Sequence, residues 1–161
     1  MTQTYHLRPL VKKGPPTSDP LRVPQYSGTP GWIFLTHDKN GVAHAGFSDS
    51  RTGRTEEIPI VIDERLCCDT ILRVVRLGPG LFVVYDLVVL NGVRVHETLN
   101  YQQRKDRIYD LLDIMHFPDL SALIKIEDVP VGNHIRGYEI YDCFPGSIGT
   151  FVDVEHLPSI E

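Results

Sequence analysis

Residues 70–96 read TILRVVRLGPGLFVVYDLVVLNGVRVH, and their pattern decides the fold. Thr70 to Leu77 and Leu81 to Leu90 are both dense in β-branched and aliphatic residues, with the turn-forming Gly78-Pro79-Gly80 between them. The two runs are predicted to pair antiparallel. Asn91-Gly92 marks a second tight turn, because both residues tolerate positive φ, and Val93-Arg94-Val95-His96 is predicted to return as a short strand. The run from Leu81 to Leu90 is broken by Asp86 and falls far short of the roughly 20 residues needed to span a bilayer, so it reads as a buried strand.

Upstream, Trp32 to Leu35 form a strand, Asp38 to Gly41 supply a turn through Asn40-Gly41, and Val42 to Ser48 return as its partner. Residues 49–55, DSRTGRT, read as a polar loop, and Ile58 to Ile62 as a short strand that Pro59 confines to an edge. Six prolines fall between positions 9 and 30, with Gly14 and Gly28 among them. That backbone is poor in donors and favours extended or turning conformations, so residues 1–30 read as a Pro-rich arm and residues 31–161 as a single domain.

Downstream, the clearest helix runs from Tyr101 to about Met115, because Ile108, Leu111, Leu112 and Met115 recur at helical spacing. Asn100 is its expected N-cap, and Gln103 three residues on completes a variant capping box. Gln102, Arg104, Lys105, Asp106 and Asp110 read as its solvated outer face. Leu123 to Glu127, Ile135 to Tyr141 and Thr150 to His156 read as further strands. The expected class is α+β: an antiparallel β-sheet core with one long helix.

The chain has 161 residues, 42% of them hydrophobic and 23% charged, as suits one folded domain rather than a disordered chain. Its net charge of −5 argues against a general nucleic-acid coater. The charge is uneven, because residues 1–54 carry seven Lys or Arg against three Asp or Glu, whereas residues 55–161 carry nine against eighteen. A phosphate-facing surface is therefore expected towards the N-terminus. Cys67, Cys68 and Cys143 form neither a CxxC pair nor a metal-ligand cluster. They read as reduced thiols of an intracellular protein of cytoplasm or nucleus, with no metal and no cofactor expected. The first residues, MTQTYHLRPLVKK, carry no apolar run of signal-peptide length, and no membrane association is expected.

No nucleophile elbow, HExxH, Walker loop or Gly-rich dinucleotide turn is present. The seven histidines are scattered singly. Asp86 stands out because an unpaired carboxylate inside an apolar strand costs several kcal/mol. It needs either an Arg or backbone partner in the fold or a place beside a ligand pocket.

The block from Leu81 to Gly92, followed by Tyr101 to Leu112, resembles the strand, tight turn and Arg-containing helix of motif IIIa in covalent nucleotidyltransferases, the DNA and RNA ligases and mRNA capping guanylyltransferases. Phe47-Ser-Asp-Ser-Arg-Thr-Gly53 resembles their SRxG segment, with Ser50, Arg51 and Gly53 matching. The resemblance implies a minimal nucleotidyltransferase-like domain without an OB domain. It also implies a nucleotide or RNA site in which Arg51 and Ser50 meet phosphate or ribose, Tyr85 stacks on the base and Asp86 lies alongside. A guanidinium presents a bidentate fork to phosphate oxygens, and an aromatic ring stacked on a base contributes roughly 1–3 kcal/mol.

The same comparison implies that catalysis is lost. Where the family carries its KxDG nucleophile, this chain has Gly28-Thr29-Pro30-Gly31; where it carries an acidic DGE motif, this chain has Cys68-Asp69-Thr70. The final lysine pair is replaced by Asp153 and Glu155. The snurportin-type cap-binding domains lose the same groups. They are similar in order through Gly31-Trp32-Ile33-Phe34, Phe82-Val83-Val84-Tyr85-Asp86 and Gly137-Tyr138-Glu139-Ile140-Tyr141, although only Phe151 stands near the position of their cap-stacking Trp.

The expectation is a pseudoenzyme that binds an RNA end, an RNA cap or a nucleotide. Beside it stands a second reading: a structural or assembly subunit whose fold mediates protein contacts, with a protein partner engaged through the Pro-rich arm. A third, an enzyme with Lys12, Lys13 or Lys39 as an unrecognised nucleophile, is the least supported.

Overall fold

The computed structural model describes residues 11–13, 21–63, 65–66, 68–116, 122–142, 144–147 and 149–153. In chain order the strands are β1 (Val11–Lys13), β2 (Leu21–Tyr26), β3 (Thr29–His37), β4 (Ala43–Asp49), β5 (Thr55–Ile58), β6 (Val61–Ile62), β7 (Thr70–Gly78), β8 (Leu81–Val89), β9 (Met115–His116), β10 (Ala122–Ile124), β11 (Ile135–Tyr141) and β12 (Gly149–Asp153). Two helices, α1 (Val95–Thr98) and α2 (Tyr101–Leu112), and a 3₁₀ turn at Ile126–Asp128 complete the described elements.

The β7–β8 hairpin forms as its sequence predicts and lies inside a six-stranded sheet of order β10-β8-β7-β3-β4-β5. All its pairings are antiparallel except the parallel one between β10 and β8. A second sheet, of order β1-β12-β11-β2, is likewise mixed, because β1 runs parallel to β12. A small antiparallel sheet pairs β6 with β9, and the class is thus α+β: two larger mixed, mainly antiparallel sheets with one long helix.

Alternation along the central strands loads both faces of the large sheet. Ile33, Leu35, Leu72, Val74, Phe82 and Val84 point to a first core closed by Ile108 and Leu111 of α2. Val75, Val83 and Tyr85 point to a second core closed by Val23 and Tyr141 of the smaller sheet. A strand buried on both faces reads as a near-continuous apolar run, which is why Leu81 to Leu90 is apolar at every position but Asp86. The sheets are joined at Ser27-Gly28, where a Cβ on Gly28 would stand 2.4 Å from the Arg76 carbonyl oxygen. Only glycine lets the backbone pass there.

Part of the Pro-rich segment belongs to the fold. Residues 21–26 are β2, which pairs with β11, and Thr29 and Pro30 already belong to β3. Residues 1–10 and 14–20 of the expected arm lie outside the described residues, as do Cys67 and Cys143.

Several element boundaries differ from the sequence pattern. Val93 to His96 does not return as a strand: a single bridge joins Leu90 to Val93, and the chain turns into α1. A strand would put Val93 and Val95 on one face, whereas Val95 is buried and Val93 is 59% exposed, so burial of one valine overrides β propensity. Ile58 to Ile62 splits into β5 and β6 at Pro59, which has no N–H for the ladder. Leu123 to Glu127 gives only β10 before the 3₁₀ turn drops Ile126 into the second core. Helix α2 stops at Leu112, freeing Met115 to enter β9. The last strand spans Gly149–Asp153, and positions 154–156 lie outside the described residues.

Candidate functional site

Tyr85 stands in the second core with its ring fully buried. Its hydroxyl accepts from the Tyr26 N–H at 2.9 Å and donates to the Pro24 carbonyl at 3.0 Å, stitching β8 to β2. The Arg73 guanidinium lies 5.2 Å from the Tyr85 ring centre and bonds Glu139 of β11 through two nitrogens. Glu139 also accepts from Gln25 at 2.7 Å and from the Tyr141 hydroxyl at 2.6 Å. Tyr101 stacks on Tyr141 with centroids 3.7 Å apart, and donates to the Tyr85 carbonyl at 2.8 Å.

These rings and charges fill the space between the two sheets around Tyr85. Burial raises the Tyr85 phenol above its ordinary range, so its hydroxyl stays protonated and can donate to Pro24. Burial opposes the charge on Arg73, but the facing Glu139 carboxylate outweighs it and holds the guanidinium protonated.

Asp86 is bound just as completely. Its Oδ1 accepts from Arg104 Nε at 2.7 Å and from the Leu87 N–H at 2.8 Å, and its Oδ2 accepts from Arg104 Nη2 at 3.2 Å. Arg104 also donates to the carbonyls of Leu99 at 2.9 Å and Ser147 at 3.0 Å. Both side chains of the pair are fully buried. Arg104 is therefore not on the solvated face of α2. It shares the buried stripe of Tyr101, Ile108 and Leu111, at i+3 from Tyr101 and i−4 from Ile108, and the lone carboxylate in β8 was the sequence signal for a cation there. Arg73, Glu139 and Gln25 carried no local signal of this kind.

Ser50 and Arg51 stand together on the turn between β4 and β5. Ser50 Oγ donates to the Pro30 carbonyl at 2.9 Å, and Asp49 Oδ1 accepts from the Arg51 N–H at 2.8 Å. The turn closes with Gly53 at φ +73°. The side chains of Arg51 and Arg54 are exposed on it. Strands β3 and β7 separate β4 from β8 in the sheet, so three strand spacings, about 14 Å, lie between the two strands. Ser50 sits with Arg51 in solvent, and Tyr85 sits with Asp86 in the cores.

An open groove of about 530 Å³ lies elsewhere, between the Asn91-Gly92 turn, α1 and α2. Leu66, Leu90, Val95, Leu99, Leu111 and Ile114 line it with aliphatic surface. Arg65, Val93, Arg107 and Asp110 stand among the polar and exposed positions around it. Its outer wall is the tight turn itself, with Asn91 at φ +48° and Gly92 at φ +80°, the paired positive values of a type I′ hairpin turn. The Asn91 side chain donates to the Arg65 carbonyl at 2.9 Å and accepts from the Cys68 N–H at 3.2 Å. Arg65 is further fixed by a fork onto Asp63, at 2.9 and 3.1 Å, and those bonds hold the Asp63 carboxyl down at about 2.

Among the described residues, no group of three or more His, Cys, Asp and Glu side chains is placed to hold a metal ion. Nor is any described helix long and apolar enough to cross a membrane. No protein-family model matches the chain, and no curated protein matches it.

Proposed function

We propose that this chain is a non-catalytic assembly module: a nucleotidyltransferase-like pair of sheets kept as a scaffold, whose surfaces bind other proteins. The observation that carries this reading is the use of Tyr85 and Asp86. The ring that would stack on a base is buried with both hydroxyl interactions satisfied, and the neighbouring carboxylate is locked to Arg104. Opening that space for a nucleotide would strip partners from several buried polar groups, at about 1–3 kcal/mol each. The open concavity, by contrast, is aliphatic, the kind of surface that receives the apolar face of an amphipathic helix. Native cross-linking of the full chain followed by identification of its neighbours tests the reading. A recurrent, stoichiometric protein partner is expected; a chain that stays monomeric and partnerless in its native extract overturns it.

A second reading, binding of an RNA end, a cap or a nucleotide, rests on Arg51 and Arg54. They stand exposed on a turn whose backbone is held by Asp49, and neither forms an ion pair among the described residues. That is a presentation suited to phosphate. Titration with capped RNA, uncapped RNA and nucleotides discriminates: affinity lost on Arg51→Glu and Arg54→Glu supports this reading, and absence of binding removes it. Incubation with labelled ATP and GTP is expected to leave no covalent lysine adduct.

A further inference from the structure

We infer that the groove between the Asn91-Gly92 turn and α2 is the docking site of a partner protein, and that it takes a short amphipathic segment presenting large aliphatic side chains beside a carboxylate. The inference rests on the assembly reading above and gives it a place and a chemistry.

Size, lining and charge lead to this occupant. The volume, about 530 Å³, matches the roughly 300–1,000 Å³ of compact ligand pockets and leaves room for side chains rather than for a folded domain. Its floor is aliphatic, and Val93 on the outer wall, 59% exposed, extends that apolar surface to the rim. An aliphatic floor with a polar rim is the arrangement that receives anchors at helical spacing from an amphipathic segment. At the rim, Arg65 is already engaged by Asp63, whereas the exposed Arg107 has no hydrogen-bond or ion-pair partner among the described residues. Among the described residues that line the groove, Arg107 is the cation free to meet a carboxylate. Asp110 lies one turn along on the same wall and disfavours a second acid there. Nucleic acid fits poorly, because among the described residues no aromatic side chain lines the groove to stack on a base and a single unpaired arginine gives little of the phosphate neutralisation that such binding requires.

The test uses the full chain and a dye-labelled peptide with leucines at helical spacing flanked by glutamate. One twin carries lysine for glutamate, another serine for leucine, and a short uncapped RNA is the fourth probe. By fluorescence anisotropy the glutamate-leucine peptide is expected to bind, with both twins weaker by about tenfold or more. Val93→Glu should abolish that binding, and Arg107→Glu should turn the preference towards the lysine twin. Both positions are exposed, so thermal melts of the variants should match the parent and separate lost binding from lost folding.

No binding of the glutamate-leucine peptide, binding indifferent to both substitutions, or tighter Arg107-dependent binding of the RNA overturns the inference. A photocrosslinking residue in place of Val93 separates this failure from that of the assembly reading. If the native partner crosslinks through other faces but never from position 93, the groove assignment falls and the assembly reading stands. If no face captures a partner, the assembly reading falls.

Discussion

Asp86 and Arg104 form a two-point ion pair that neither side chain shares with solvent, with Nε–Oδ1 at 2.7 Å and Nη2–Oδ2 at 3.2 Å. The pair joins the middle of β8 to the first turns of α2. Through the Leu99 and Ser147 carbonyls, Arg104 also gathers the α1–α2 junction and the loop before β12. One guanidinium thus organises these segments around the helix, and the carboxylate that interrupts the apolar strand is the counterion that makes it possible.

Removing one partner leaves a buried charge uncompensated. Asp86→Ala and Arg104→Ala are each expected to destabilise the fold by about 3–5 kcal/mol, measured by equilibrium urea unfolding. The double change Asp86→Leu with Arg104→Met should cost much less than the sum, because it removes both charges and keeps apolar volume. Additive losses would show that the two residues act separately.

Tyr85→Phe keeps the ring and deletes the hydroxyl, stranding the Tyr26 N–H and the Pro24 carbonyl at the seam between the sheets. A loss of about 1–3 kcal/mol is expected by chemical denaturation. If the ring served a ligand instead, stability would scarcely change while nucleotide or cap affinity shifted, and that outcome would refute the structural role.

His44 stands between two carboxylates, with Nε2 at 3.2 Å from Asp38 Oδ2 and Nδ1 at 3.4 Å from Glu57 Oε1. Hydrogen bonds to Asp38 and then Glu57 raise the imidazole pKa, whereas backbone bonding from Val42 and the His44 bond lower that of Asp38. The raised His44 contributes stability below its unfolded pKa and loses it as pH rises through the folded value. The depressed Asp38 contributes above its unfolded pKa and loses that as pH falls through its folded value. The clamp from the β3–β4 turn to the edge strand β5 is therefore strongest in mildly acidic solution. Melting temperature against pH should show a gap between the parent and His44→Gln that narrows above neutrality and in high salt. A gap constant across pH would refute the clamp.

What the sequence shows plainly is what is local. The β7–β8 hairpin follows from its turn residues, and the Asn100–Gln103 capping box forms in both directions, at 2.9 and 3.0 Å. The partition into two sheets is a different matter. Strand β2 comes from a segment whose prolines suggest an arm, and its partner lies far along the chain, as Gln25 and Glu139 show with a separation of 114 residues. No periodicity encodes such a pairing. Charge was legible from one side only: Asp86 advertises a need for a counterion, but nothing within α2 separates Arg104 from Lys105 until the register of the buried stripe is fixed by the sheet beneath it. Ser50 and Arg51 were legible as an exposed turn, while their distance from Tyr85 depends on the two strands that intervene.

The last prediction concerns the groove wall. Asn91 holds φ +48° and also ties Arg65 and Cys68 to the turn through its amide, so backbone preference and side-chain anchoring can be separated at one position. Asn91→Gly keeps the left-handed conformation at no steric cost and deletes only the anchors, whereas Asn91→Ala loses both. Hydrogen exchange should quicken around Arg65 and Leu66 in both variants, because that segment loses its tether. The alanine variant alone should pay an additional conformational penalty of about 1–2 kcal/mol in unfolding. If the glycine variant leaves exchange near Arg65 unchanged, the amide does not hold this wall, and the shape of the groove must come from the Asp63–Arg65 fork and the packing of Leu66.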